Sequence, residues 1–323
     1  MASEWSSQGL PPAARERLSE IRASGTWGSA LTTDEFAAIR STGFEPVGQV
    51  LGAAVYNLGW TGGYGCPAYG GGFGTYSRWQ PGWQGWSPTR TSVSSIGGAS
   101  AYAPLVRTMY QARRAAIGRM IAECTALDGH GVVGVQLSIG RFPSGGLEFK
   151  AIGTAVRAPG ARPLRTPFTS DVSGQDFAKL IADGVVPVSL VLGISVGARH
   201  DDWLTRGQSR WGAGNTEVSG YTELVNSTRH DARNELAADV ARHGADGVVI
   251  QHMDLRIGEH ECPAQEGTRD HVAEVTIIGT AITHFSAARR TVDRPSLAIL
   301  SLDPQRRQAA RVRLRAGPAD RIS

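Results

Sequence analysis

Lysine is nearly missing from this 323-residue chain: Lys150 and Lys179 are its only two, and charged residues of every kind make up 19%. The other basic residues are arginines, a bias that genome composition explains as readily as phosphate recognition. A formal net charge of +4 spread over this length is no electrostatic footprint for a nucleic acid, which argues against that partner. Cysteine is scarce too. Cys66, Cys124 and Cys262 are odd in number and scattered, which excludes a disulfide framework and fits reduced thiols in the cytoplasm. No apolar run approaches the ~20 residues of a membrane-spanning helix. Residues 1–10 are polar and lack a basic-then-apolar leader pattern, so the expected location is cytoplasmic. Against these absences stands 41% hydrophobic residues, enough to bury a sizeable core and to exclude wholesale disorder. At roughly one domain per 150 residues, the length suits two domains.

The basic character is concentrated at one end. Residues 286–323 hold nine arginines against Asp293, Asp303 and Asp320, and the rest of the chain is close to neutral. A basic tail can meet RNA, acidic lipid or an acidic protein face, but a solvated tail or a packed C-terminal helix is the commoner outcome.

The strongest signal is internal repetition. Asp34-Glu35-Phe36, then Glu45-Pro46-Val47 and Val50-Leu51-Gly52, are matched by Gln175-Asp176-Phe177, Val186-Pro187-Val188 and Val191-Leu192-Gly193. A helical segment from Tyr102 is matched by one from Tyr221, Gly131-Val132-Val133 by Gly247-Val248-Val249, and Ile152-Gly153-Thr154-Ala155 by Ile278-Gly279-Thr280-Ala281. Five landmarks in one order point to a tandem duplication. Within each copy the periodicity predicts strand, helix, strand, strand. Residues 46–56 and 187–196 read as first strands entered by proline. The helices place Val106, Met109, Ile117, Met120, Cys124 and Leu127 on one stripe, and Val225, Thr228, Ala232, Leu236 and Val240 on the other. Gly129 and Gly244 stand where a helix-terminating glycine belongs. Residues 132–139 with 148–156, and 248–257 with 271–283, read as antiparallel pairs. A three-stranded sheet under one helix buries a single face well, so association between copies or between chains is expected.

The run Ala232-Arg233-Asn234-Glu235-Leu236, the turn Gly244-Ala245-Asp246-Gly247-Val248-Val249 and the closing Gly279-Thr280-Ala281 resemble the bacterial YbjQ family, which carries a heavy-metal-binding label. The resemblance covers about residues 31–157 and 169–285. It implies an α+β fold of two dodecin-like β-α-β-β domains in tandem that assemble into a homo-oligomeric ring, pentameric in single-copy members. No catalytic residues come with it. The expected organisation is a helical or flexible segment at 1–30, domain one at 31–160, domain two at 161–285 and the arginine-rich tail at 286–323.

Domain one is interrupted at 59–98 by twelve glycines and eight aromatics: Trp60, Tyr64, Tyr69, Phe73, Tyr76, Trp79, Trp83 and Trp86. Pliable backbone with large amphipathic rings suits a loop that binds a protein partner. It also suits a loop packed on its own subunit. Seven of the eight histidines fall in copy two. His260-Glu261-Cys262, on the turn between two predicted strands, has His252 before it and His271 after it. Imidazole and thiolate make His252, His260, Cys262 and His271 a candidate set for a soft divalent metal such as zinc or copper, although the spacing matches no established ligand signature. His243, in the last helical turn, is expected to serve the helix C-terminus. Gly193-Ile194-Ser195-Val196-Gly197 has the spelling of a hydrolase nucleophile motif but no helix follows it, so a hydrolase is not expected. The run 70–74 lacks the lysine of a phosphate loop. The reading is a non-enzymatic, ring-forming assembly or interaction protein, with metal binding as the alternative and a basic-tailed nucleic-acid binder third.

Overall fold

The computed structural model describes residues 10–26, 28–57, 91–94, 102–142, 146–162, 164–262 and 266–284. All of them lie in one compact unit, Met1–Phe285. The eight insertion aromatics and the arginine tail fall outside the described residues.

The same order of elements occurs twice. The first half runs α2 (Thr33–Ser41), β1 (Glu45–Tyr56), α3 (Ala103–Ala126), β3 (Gly131–Arg141) and β4 (Leu147–Arg157); the second runs α4 (Gly174–Ala182), β6 (Val185–His200), α6 (Ser219–Arg242), β7 (Gly247–Glu261) and β8 (Arg269–His284). A helix α1 (Pro12–Ser24) precedes the first half, and α5 (Trp203–Gln208) sits between β6 and α6. Local chemistry recurs with the elements. Thr32 caps α2 through the backbone N–H of Glu35, and Ser173 caps α4 through that of Asp176. Both first strands carry a bulge just after the proline, Pro46/Gly48 and Pro187/Ser189. Gly52 and Gly193 let each strand touch its own helix. A Cβ there would lie 1.9 Å from the carbonyl oxygen of Ala116 or 2.1 Å from that of Ala232.

Each helix also answers the edge of its strand with a carboxylate. The Leu51 N–H donates to Glu123 Oε2 at 2.8 Å, and the Leu192 N–H donates to Asp239 Oδ2 at 2.9 Å. An arginine pairs with each carboxylate, Arg17 with Glu123 and Arg242 with Asp239. Thr154 and Thr280 likewise accept backbone N–H groups, from Ala30 at 3.1 Å and from Asp171 at 2.9 Å.

The sheets depart from the three-stranded expectation. Among the described residues they have four strands each, in the orders β1-β4-β3-β5 and β2-β6-β8-β7. The added strands are exchanged between halves. β5 (Phe168–Thr169), at the entrance to the second half, pairs in parallel with β3. β2 (Ser92–Ser94), from the end of the insertion, pairs with β6. Of the associations expected, between copies or between chains, the structure shows one between the copies: α3 lies between the two sheets. Ala112, Ala116 and Met120 pack with Val50 and Ala54 of β1, while Val106, Met109 and Tyr110 pack with Leu192, Ile194 and Val196 of β6. The apolar residues of α3 therefore occupy two faces, a wider arc than the single stripe read from the sequence.

Two helix details differ from the sequence reading. In α6 the buried position is Leu224, and Val225 is only half-buried. After α3 the left-handed turn falls on Asp128 (φ 55°) instead of Gly129, in register with Gly244 (φ 62°) after α6. Gly129 is required for space: a Cβ there would lie 2.6 Å from Cys124 Sγ.

Candidate functional site

Three chain segments converge at the far end of the β6-β8-β7 sheet. His200 ends β6 and stands opposite Asp270 near the start of β8. Cys262 follows the last residue of β7, held by its N–H donating to the Thr268 carbonyl at 2.8 Å. His200 Nδ1 and Asp270 Oδ1 are 2.6 Å apart. Ligand atoms of His200, Cys262 and Asp270 all lie within 4.8 Å of one another, and the three residues are 5%, 5% and 6% exposed. Nitrogen, sulfur and oxygen donors gathered in this way fit a borderline divalent ion such as zinc, whose bonds of ~2.0–2.3 Å put tetrahedral ligands about 3.3–3.8 Å apart. Contraction by about 1 Å would close the set. The hydroxyl of Thr268, on the residue that pairs with Cys262, is buried without a hydrogen-bond partner among the described residues.

The sequence-based set His252, His260, Cys262 and His271 is distributed differently. Cys262 belongs to the cluster just described. His260 is exposed on β7, opposite Asp270 in register. His271 is on the other face of β8, toward α6, where Nδ1 is 3.0 Å from Asp201 Oδ1 and the ring lies tilted against Tyr221, centroids 4.4 Å apart. Tyr221 donates its hydroxyl to Asp201, and burial together with that carboxylate pushes its pKa up to about 12. His252 lies eight residues back along β7 from His260, about 27 Å at strand rise. It lines a cavity of about 280 Å³ between the two halves, with Arg113, Asp254, Arg256 and Glu274. There the Arg113 guanidinium is pulled down to about 10 by burial, opposed by Glu274. His243 Nδ1 lies 2.9 Å from the Asp239 carbonyl, the helix-terminal role expected of it. The residues missed, His200 and Asp270, are separated from Cys262 by chain that only the sheet register brings back. A one-dimensional search for ligand spacing has no access to that register.

The hydrolase-like motif has a structural explanation. Ser195 is fully buried in the middle of β6, and its hydroxyl donates to Asp231 at 2.7 Å. Gly193 and Gly197 face α6, where a Cβ on Gly197 would lie 2.0 Å from Thr228 Oγ1.

A second feature is a sheet edge that is open among the described residues. β7 is the outer strand of its sheet, and Ile250, Met253 and Ile257 on it are 46%, 41% and 55% exposed. The corresponding strand of the first half, β3, is not open, because the segment around β5 lies along it. Phe168 N–H donates to the His130 carbonyl at 3.1 Å, Ser170 N–H to that of Val132 at 2.9 Å, and Val135 N–H to that of Ser170 at 2.9 Å.

No described helix is long and apolar enough to cross a membrane. Comparison with known proteins gives two matches. The YbjQ family model, described as putative heavy-metal-binding, matches residues 90–159, from β2 to the end of β4. The encapsulin nanocompartment protein Rv1762c of Mycobacterium tuberculosis (strain ATCC 25618 / H37Rv) is 31% identical over 283 residues, 85% of this chain and 92% of the relative. No solved structure matches. The YbjQ match falls on the first half, whereas His200, Cys262 and Asp270 lie in the second. The chain belongs to the family of the mycobacterial encapsulin nanocompartment protein.

Proposed function

We propose that this member of that family is a non-enzymatic assembly protein, built by tandem duplication, whose copies join into a closed homo-oligomeric ring and serve a nanocompartment in the cytoplasm. The carrying observation is β7: fifteen residues at a sheet edge, with three exposed apolar side chains. An edge of that length and character invites pairing, and soluble proteins ordinarily blunt or cover it. The recurrence of caps, bulges and strand-edge carboxylates in both halves supports the duplication. Resemblance to ring-forming YbjQ proteins supports closure, with five chains the favoured number. The eight aromatics of the insertion are proposed as the contact with a further protein partner. Light scattering coupled to size exclusion is expected to give a mass several times the 34.2 kDa of one chain. A monomer at micromolar concentration would overturn the reading.

A second reading is favoured by the buried cluster: His200, Cys262 and Asp270 hold a zinc-like ion. Bound there, the ion would supply a cross-link between the ends of β6, β7 and β8. In the chain itself, Asp270 orients the His200 ring and Cys262 supplies the thiolate. Elemental analysis after dialysis is expected to find one zinc per chain. His200→Ala and Cys262→Ala should each weaken zinc binding at least about tenfold, while His252→Ala leaves it intact. A parent protein that retains no metal from a zinc-supplemented buffer would remove this reading.

A further inference from the structure

Within the chain, the contact between the halves is directional. The first half receives the segment around β5 on the edge of β3, and the second half receives α3 on the outer face of β6. Among the described residues, each of these contacts has an unfilled counterpart at the opposite end of the chain. β7, in register with β3, has no strand on its outer side among the described residues. The segment in register with residues 169–172 is residues 28–31. Like its counterpart it is held to its own half: the Gln49 N–H donates to the Gly28 carbonyl at 2.7 Å, and Ser29 and Ala30 reach Thr154. Residues 28–30 are exposed, whereas 169 and 170 are buried. β1 alternates buried and half-buried residues, with Val55 50% exposed, whereas β6 is buried continuously from Leu190 and Val196 is 1% exposed. α3 buries residues toward two sheets, and α6 buries one stripe, Leu224, Thr228, Ala232, Leu236 and Asp239 among them.

We infer that residues 28–31 of one copy of this chain lie in parallel along β7 of the next copy, at 247–251, repeating between chains the contact that residues 168–172 make with β3 inside the chain. The inference rests on the assembly reading and specifies its interface. By the observed register, in which Val132 pairs with Thr169, Val248 would face Gly28. Ser29 N–H would donate to the Val248 carbonyl, and Gln251 N–H to that of Ser29. α6 of that next copy would then lie back on the face of β1 in the first copy that is uncovered among the described residues, as α3 lies on β6. The occupant is a second copy because two segments of this pattern are present and the other one is already placed. A contact that joins different surfaces head to tail does not satisfy itself in a pair, so it propagates until the ring closes. Parallel addition to an exposed edge supplies main-chain hydrogen bonds, and the alternate side chains set the register.

Two variants test this in the full chain. Ser29→Pro removes the N–H that would donate to Val248, in an exposed segment outside any helix or strand. It is expected to shift the light-scattering mass from the oligomer to one chain, with an unchanged circular dichroism spectrum. Gly28→Cys with Val248→Cys is expected to give disulfide-linked chains on a non-reducing gel after mild oxidation, and neither single cysteine variant should do so. A Cβ on Gly28 has room, its nearest neighbour being Gln49 Oε1 at 3.9 Å. If the parent is oligomeric but Ser29→Pro remains so and the double variant forms no linked species, this interface is wrong and the assembly reading stands. A monomeric parent overturns both.

Discussion

Asp171 shows at the residue scale how a structural carboxylate can oppose the fold that holds it. It occupies the position of Ala30 in the first half, and burial raises its pKa although the Thr280 hydroxyl donates to it. Its Oδ2 is buried without a hydrogen-bond partner among the described residues. A carboxyl raised in the folded state contributes stability below its ordinary value of 3.8, and that contribution is lost as pH rises through the raised value. Asp171→Asn keeps the acceptor for Thr280 and cannot ionise. The variant's urea midpoint should therefore gain on the parent as pH rises from about 4 to about 7. A gain that is larger at the acidic end would reverse the assigned sign. Nothing in the sequence marks Asp171, since its burial is made by strands from both halves. His200 and Asp270 were hidden because only the sheet register of β6, β7 and β8 brings them to Cys262, whereas Cys262 was visible because thiols are rare here.

Elements were more legible than sites, because periodicity is a local property and burial is not. β1, β3, β4, β7 and β8 fall within a few residues of the strands read from alternation and turn residues, and the two long helices begin within two residues of the predicted starts. β6 runs to His200 instead of stopping near Val196, since its last turns are buried by α5 and α6 and not by an alternating pattern. The short strands escaped notice. β2 and β5 have three and two residues and acquire strand geometry only from a partner in the other half. The strand-edge carboxylates Glu123 and Asp239 read as ordinary polar positions on helical stripes. Their role follows from the close approach that Gly52 and Gly193 permit, which brings each helix within reach of an otherwise unpaired N–H.

For the whole molecule, the exchange of strands decides what unfolds together. The halves could have been two domains on a string. Instead β5 completes the sheet of the first half, β2 extends the sheet of the second, and α3 contributes to both cores. Removing the first half would expose Leu192, Ile194 and Val196, each now at most 2% exposed. Full burial of such side chains stabilises by about 1.5–3 kcal/mol each, which is a large part of the stability of an ordinary domain. The Ile194 N–H would also lose its acceptor, the Tyr110 hydroxyl, at 2.9 Å. Residues 1–285 are thus expected to unfold in one cooperative transition, with coincident midpoints by circular dichroism and tryptophan fluorescence. The fragment 161–285 expressed alone should show no such transition. A fragment that unfolds cooperatively with the midpoint of the full chain would show that the halves are independent, and that α3 between the sheets is a consequence of docking and not a condition of folding.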